Sequence, residues 1–503
     1  MSRSNDYHDY LFPFDSPRLL SCRGKDAYRY AQDLRGFHPQ VEEIIAGWRA
    51  RHAEPFRGLT ADGAIVPGLY ALADEGAPTR AMTEAADRLL GSLGDQARGQ
   101  VRYAIDAPEW RIWSNPEFLV NPRGLRLEEI PGSARQAIME LVAASVSPDG
   151  FRKMRGCMYT NDFLGELCGL PKIMNEWSYN FCLFGTPSLT EPWGWNLYGH
   201  HLCLNCFVLG GQMVISPTFM GAEPNIVDKG PHAGLALFTD EERIGLELMR
   251  SLPGALREQA TTYRQMRDPA MPEGRWNIAD QRHLGGAFQD NRIVPFEGVP
   301  ATEFSTAQRD RLVELVEQFV IYLPDGPRRA KLEQVKSRLD QTWWSWIGGH
   351  GDDDPFYYRI QSPVVMVEFD HHSGVWLTND EPAKCHIHTT VRTPNGNDYG
   401  KDLLRQHYEQ VHPGHRPGGG ERSMPPARMA GLSRQGGVAV PSWKGLRRHR
   451  RGSASAGPLF SRAATGVDRL PVRLEAARIR PAPEENGGRS ASAAGRKDAD
   501  HGR

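Results

Sequence analysis

His386 and His388, in Lys384-Cys-His-Ile-His-Thr-Thr-Val-Arg392, are the residues best spaced for metal chemistry. Residues two apart in a strand project from one face, so the two imidazoles point together. A second pair, His200-His201, opens the run Leu-Cys-Leu-Asn-Cys-Phe-Val-Leu209. Adjacent residues on a strand face opposite ways, so only one of this pair turns inward unless a bulge re-aims the other. Glu368, in Val364-Val-Met-Val-Glu-Phe-Asp370, faces the His386/His388 pair if the two strands are neighbours. Glu223 follows a strand and is a candidate ligand or general base. Three or four imidazoles and carboxylates on rigid elements, with one position left open, make a catalytic metal site. His200, His201, Glu368, His386 and His388 are therefore the candidate ligands. The opposing reading is plain: His-x-His is also what the solvent face of an antiparallel strand looks like. Arg359 and Arg392 also lie on expected strands. An inward Arg can clamp a substrate carboxylate, and Arg392 is taken as catalytic on that ground, although a cross-strand salt bridge explains either Arg.

The elements that hold these residues are helices and antiparallel strands. Met82, Ala85, Ala86, Leu89, Leu90 and Leu93 form one apolar helical stripe. Capping boxes at Ser133/Gln136, Thr239/Glu242 and Ser305/Gln308 mark three helix starts. A charged helix over about 328–340 runs into Trp343-Trp-Ser-Trp346. Gly210-Gly211 is a two-residue hairpin turn between strands 200–209 and 212–220. That register sets Leu209 opposite Gln212, and His200 and His201 opposite Gly221 and Met220. Pro217 requires the return strand to be an edge or to carry a bulge. A second hairpin, 356–370 with 375–378, turns at His371-His-Ser-Gly374, which leaves His371 and His372 exposed. Because the helices and strands do not strictly alternate, the fold class is α+β.

The bulk numbers exclude more than they assign. The 503 residues carry a net charge of -1, with 40% hydrophobic and 24% charged residues, as in an ordinary globular protein. Neither a signal peptide nor a membrane span is read. Seven scattered cysteines argue against a disulfide framework and for a reducing, cytoplasmic setting. Cys203 and Cys206, three apart on a strand, would face opposite ways. Phosphate loops, a strand-bound Gly-x-Gly-x-x-Gly, Gly-x-Ser-x-Gly and His-Glu-x-x-His are absent, so no nucleotide cofactor is expected. The domains are read as an extension over 1–56, a main domain over 57–412 and an Arg/Gly/Pro-rich tail over 413–503. From Arg416 the tail holds about 18 Lys and Arg against about 7 Asp and Glu. Arg, Gly, Pro and Ala dominate there and Lys is nearly absent, so the tail reads as a frameshifted extension or a disordered segment. A nucleic-acid arm is the weakest reading.

Four stretches resemble the DUF3500 family. They are Pro187-Ser-Leu-Thr-Glu-Pro-Trp-Gly-Trp-Asn-Leu-Tyr-Gly-His-His-Leu-Cys-Leu-Asn205, Pro217-Thr-Phe-Met-Gly-Ala-Glu-Pro224, Gly285 to Gly298, and His386 to Pro394 with Asn397-Asp-Tyr-Gly400. The resemblance runs from about Arg57 to His412 and departs at Gly396, which is inserted before Asn397. It implies a fold-sized unit and no reaction.

The resulting expectation is a metal-dependent enzyme acting on a small organic molecule. The metal would be a divalent ion: zinc or manganese for hydrolysis, iron for oxygen chemistry. Hydrolysis is favoured because a spare carboxylate is available as base. The rival is a non-catalytic small-molecule-binding protein with structural histidines. No membrane or nucleic-acid partner is expected, and the oligomeric state is left open.

Overall fold

The computed structural model describes residues 5–411. The expectations for the tail from 413 onward lie outside these residues. Eight strands form the body of one large sheet: β1 (Tyr179–Gly185), β2 (Trp193–Gly199), β3 (Leu202–Leu209), β4 (Gln212–Ala222), β5 (Trp343–Gly348), β6 (Phe356–Gln361), β7 (Met366–His371) and β8 (Ile387–Arg392). Their order is β1-β2-β3-β4-β8-β7-β6-β5, with every neighbour antiparallel. Helices and a mostly antiparallel sheet make the α+β class expected from the sequence.

The strand order is palindromic, and the elements before the strands repeat as well. Helices Thr79–Ser92 and Asp95–Val101 lead to the short strand Arg102–Tyr103, parallel to β1. Helices Thr239–Ser251 and Gly254–Ala260 lead to Thr261–Tyr263, parallel to β5. Leu125–Arg126 then pairs antiparallel with β1, as Val299–Pro300 does with β5. A helix pair follows in each half, Gly132–Ser145 with Pro148–Cys168, and Thr306–Phe319 with Asp325–Lys336. Even the tight approaches correspond. Gly124 and Gly298 both have positive φ, and a Cβ on either would strike a backbone carbonyl, of Phe181 and of Trp344. Within the described residues the elements form two structural repeats, which join through the antiparallel β4–β8 pair.

One face of the β5–β8 half is apolar. Trp344, Trp346, Phe356, Tyr358 and Phe369 alternate onto it and stack on one another. Helices Thr239–Ser251 and Thr306–Phe319 cover it: the Tyr358 hydroxyl donates to Glu241 O at 2.8 Å, and Phe319 packs edge-on against the Tyr358 ring. The stripe Met82, Ala85, Ala86 and Leu89 is buried, as its spacing requires, and Ser305 forms its capping box with Gln308. The segment before the family-like region is helical, and Ile45 and Trp48 reach the main core.

Several sequence expectations are corrected. Gly210-Gly211 does turn the hairpin with Leu209 opposite Gln212, but the register shifts by one between Leu204 and Cys206. Ser216 and Pro217 supply the extra residue, so Pro217 sits in a bulge of an interior strand. The β2–β3 pairing closes at Gly199 opposite Leu202 and leaves His200 and His201 as a two-residue turn, and the Gly221 amide donates to His201 O at 2.9 Å. Ser133 lies inside its helix, whose N-cap is Pro131, and Phe238 rather than Thr239 caps the next one. Trp343–Trp346 belong to β5 rather than to the end of a helix. The second hairpin joins β6 to β7 through 362–365, and 372–386 is irregular. His371 and His372 are consequently buried, because the β7 pattern continues past its expected end.

Gly245 lies in the helix over Tyr358, where a Cβ would come within 2.4 Å of the ring. Gly to Ala in a helix interior ordinarily gains about 1 kcal/mol. Here the ring is fixed by its hydroxyl bond and by stacking, so Gly245→Ala should destabilise by about 1–3 kcal/mol. Urea unfolding of both proteins measures the sign; a gain in stability would show that the helix can retreat.

Candidate metal centre

The other face of the β5–β8 half carries polar side chains and is also buried. His388, Thr390 and Arg392 lie along β8, with His386 just before it; Glu368 and Asp370 lie along β7; Tyr357, Arg359 and Gln361 along β6. His372, just past β7, donates its amide to His386 O at 2.7 Å and so extends the row. The irregular segment 264–298 lies over these residues and supplies their partners. Arg282 pairs with Asp370 at 2.6 and 2.9 Å, and His283 Nδ1 meets Thr390 Oγ1 at 2.6 Å.

At the end of the β4–β8 pair three imidazoles converge. The Nε2 atoms of His386 and His388 are 3.0 Å apart, those of His201 and His388 3.1 Å, and those of His386 and His201 3.3 Å. His386 and His388 arrive by the two-residue spacing. His201 arrives from the turn, in a left-handed conformation (φ 59°) that aims its ring across Gly221 at β8. Gly221 is needed there, since a Cβ would lie 2.9 Å from His388 Cδ2 and 3.0 Å from His201 Cδ2.

Burial and the neighbouring imidazoles hold His201 and His388 well below the usual histidine range. Burial lowers His386 too, against the opposing pull of Glu223 and Ser373 O. All three rings are therefore neutral at neutral pH. The Ser373 carbonyl, 2.8 Å from His386 Nδ1, accepts the Nδ1 proton. This sets the tautomer with a bare Nε2 lone pair turned to the cluster. Nδ1 of His388 and Nε2 of His372 and His283 are buried with no protein partner.

The other candidates are held elsewhere. His200 stacks on His201 with ring centres 3.9 Å apart, but its Nδ1 meets Asn161 Oδ1 at 2.8 Å, and burial pushes its pKa down to about 3. Glu368 is on the face expected for it, opposite Thr390, and accepts from the Leu284 and Gly285 amides and the Tyr357 hydroxyl at 2.7–2.8 Å. Burial would raise its pKa, yet His283, these donors and Arg359 hold it below its ordinary value. Arg392 is bound by Asp398 at 2.8 Å and Asp290 at 2.7 Å.

Glu223 stands 3.7 Å from His386 Nδ1, and its Oε1 accepts the amides of Val375, Trp376 and Leu377 at 2.7–3.0 Å. It thereby pins the loop whose Ser373 carbonyl orients His386. Sequence reasoning did not find His372 or His283. His372 was legible in principle, because the period-two row Glu368, Asp370 continues onto it; His283 has no periodic signal at all.

Glu223→Ala should leave the Val375, Trp376 and Leu377 amides unpaired, the last two buried, and free the 373–377 loop. Affinity for added zinc should fall about 10–100-fold, while Glu223→Gln, which keeps the accepting oxygen, should lose much less. Competition with a chromogenic chelator reads both values; equal affinities across the three proteins would remove Glu223 from the support of His386.

Comparison with known proteins gives the family and nothing nearer. Neither a curated protein nor a solved structure matches. Among the described residues, no helix is long and apolar enough to cross a membrane. Residues 75–401 match the model of a family described as a protein of unknown function, DUF3500, and cover the repeated helices, all eight strands and the three converging histidines. The chain belongs to the DUF3500 family.

Proposed function

We propose that His201, His386 and His388 bind a divalent metal ion and that the protein uses it for hydrolysis of a small organic molecule. The observation that supports this is the convergence of three Nε2 atoms of neutral imidazoles, 3.0–3.3 Å apart, in a buried site. The Ser373 carbonyl leaves His386 with a bare Nε2 lone pair, and the Nδ1–H tautomers of His201 and His388 would aim two more lone pairs at the same point. A cation would engage all three. Metal–nitrogen bonds of about 2.0–2.1 Å in tetrahedral geometry separate the nitrogens by about 3.3 Å, which the cluster fits with little movement.

The donor set favours hydrolysis over the oxygen chemistry that two histidines and a carboxylate would suit. Held by the three neutral nitrogens of His201, His386 and His388, a divalent ion would keep its charge uncompensated and would acidify a bound water to a pKa of about 7. Glu368 and Glu223 are each engaged by backbone amides rather than turned to the cluster. His372 lies beside the cluster, its ring centre 4.1 Å from that of His388, and burial with the neighbouring His386 and Arg282 charges holds it well below the usual histidine range, so it is a neutral neighbour of the ion rather than a base. Glu223 acts as a positioning residue. Seven free buried cysteines suit a reducing compartment, and we take the protein to be cytoplasmic.

Elemental analysis of protein purified without chelator or affinity nickel tests the reading. We expect near-stoichiometric zinc or manganese, lost in His386→Ala/His388→Ala. Chelation should lower the thermal midpoint and the same ion should restore it. No metal in the wild type, even after reconstitution, would overturn the reading and leave a non-catalytic binding protein.

A further inference from the structure

The polar face holds a second group of unsatisfied atoms, two strands from the histidines. Arg275, on the covering segment, donates Nη1 to Arg282 O at 2.8 Å, but its Nε and Nη2 have no partner. Arg359, on β6, donates Nη2 to Pro295 O and Glu297 Oε2 at 3.0 Å, and its Nη1 has none. Both side chains are buried, Arg275 5% exposed and Arg359 1%. They belong to one cluster: Arg275 Nη2 is 4.0 Å from the same Glu297 oxygen, and its guanidinium lies 5.2 Å from the Tyr357 ring centre. Arg359 is also directly opposite Glu368, to which Tyr357 donates.

A buried guanidinium N–H left without an acceptor costs about 1–3 kcal/mol, and three such donors in one cluster mark a place built for an anion. The neighbouring carboxylates do not satisfy these donors. Glu297 accepts from Arg359 Nη2, and the Glu368 oxygens, opposite Arg359, are taken up by the Leu284 and Gly285 amides and the Tyr357 hydroxyl. A small anion with a planar pair of oxygens matches the fork of donors left over.

We infer that Arg275 and Arg359 form a carboxylate-binding subsite, and that the ligand of this protein is a small carboxylic acid derivative. Tyr357 and His283 lie between this subsite and the histidines: ring centres step from Tyr357 to His283 by 6.2 Å and from His283 to His388 by 6.2 Å. A substrate anchored by its carboxylate at the arginines would extend along that row with its labile bond toward His201, His386 and His388. The carboxylate site stands on its own observations; that its occupant is a substrate rests on the metal reading above.

Acetate is the probe, with chloride at equal ionic strength as reference, and the readouts are the thermal midpoint and calorimetric binding. Acetate should raise the midpoint of the wild type and of His386→Ala/His388→Ala alike. Arg275→Gln should abolish the response. Arg275→Lys, which keeps the charge without the planar fork, should weaken binding at least several-fold, and it serves if the Gln variant misfolds. Metal content should be unchanged in both Arg275 variants. A response absent from the wild type, or lost in the histidine variant and kept in Arg275→Gln, would overturn the subsite. Failure of the metal site alone would show instead as acetate binding retained in a protein that holds no ion.

Discussion

A sheet face that is polar and yet shut away from water must find every hydrogen-bond partner inside the protein. This constraint shapes the structure around the β6–β8 strands. Segment 264–298 has almost no regular structure, and it is held to the sheet less by apolar contact than by charged and polar staples. Arg282 grips Asp370, Asp290 grips Arg392, and the Leu284 and Gly285 amides grip Glu368. Asp290 also accepts from Arg111 at 2.7 Å and from the Tyr399 hydroxyl at 2.9 Å, tying the corresponding segment of the first half to the same point. Removing one member of such a buried pair leaves the other uncompensated and costs about 3–5 kcal/mol. The covering segment is therefore fixed, and the groups left unpaired beneath it are the exceptions that need explaining.

The two structural repeats show where those exceptions arise. The halves match in helices, strands and tight glycine approaches, and they differ in the connections at the ends of the strands. In the first half β2 and β3 are joined by the two-residue turn His200-His201; in the second the corresponding connection spans 362–365. In the first half β3 and β4 are joined by Gly210-Gly211; in the second the corresponding connection is the long loop 372–386, which carries His372 and Ser373 and leads to His386. The histidine cluster forms where the short turn of one half meets the long loop of the other, across the β4–β8 pair. A symmetric dimer of halves would not contain it.

The sequence was most legible where a local rule acts alone. The stripe from Met82 to Leu89, the Ser305 capping box, the Gly210-Gly211 turn and the shared face of His386 and His388 all follow from periodicity or turn chemistry. Two of the converging histidines were thus visible, and the third was narrowed to His200 or His201. Pro217 signalled a bulge, but which histidine turns inward is decided by the left-handed conformation of His201 in the β2–β3 turn, which residue types alone do not announce. Burial of the polar face was not legible, because the cover comes from a distant segment without periodicity; polar alternation reads as solvent exposure. The repeat was present as Gly124-Leu-Arg-Leu-Glu-Glu-Ile130 with Glu140-Leu-Val142 against Gly298-Val-Pro-Ala-Thr-Glu-Phe304 with Glu314-Leu-Val316. Such short matches separated by unequal loops are easily passed over.

The claim on which the functional account rests is that three imidazoles share one ion. X-ray absorption at the metal edge of the loaded protein addresses it directly, because imidazole rings give outer-shell scattering that carboxylates and water do not. The account predicts a first shell of nitrogen and oxygen at about 2.0–2.1 Å, as zinc–imidazole sites have, with outer-shell amplitude for three imidazoles that drops to two in His201→Ala. A shell dominated by carboxylate or sulfur, or one unchanged by His201→Ala, would contradict it.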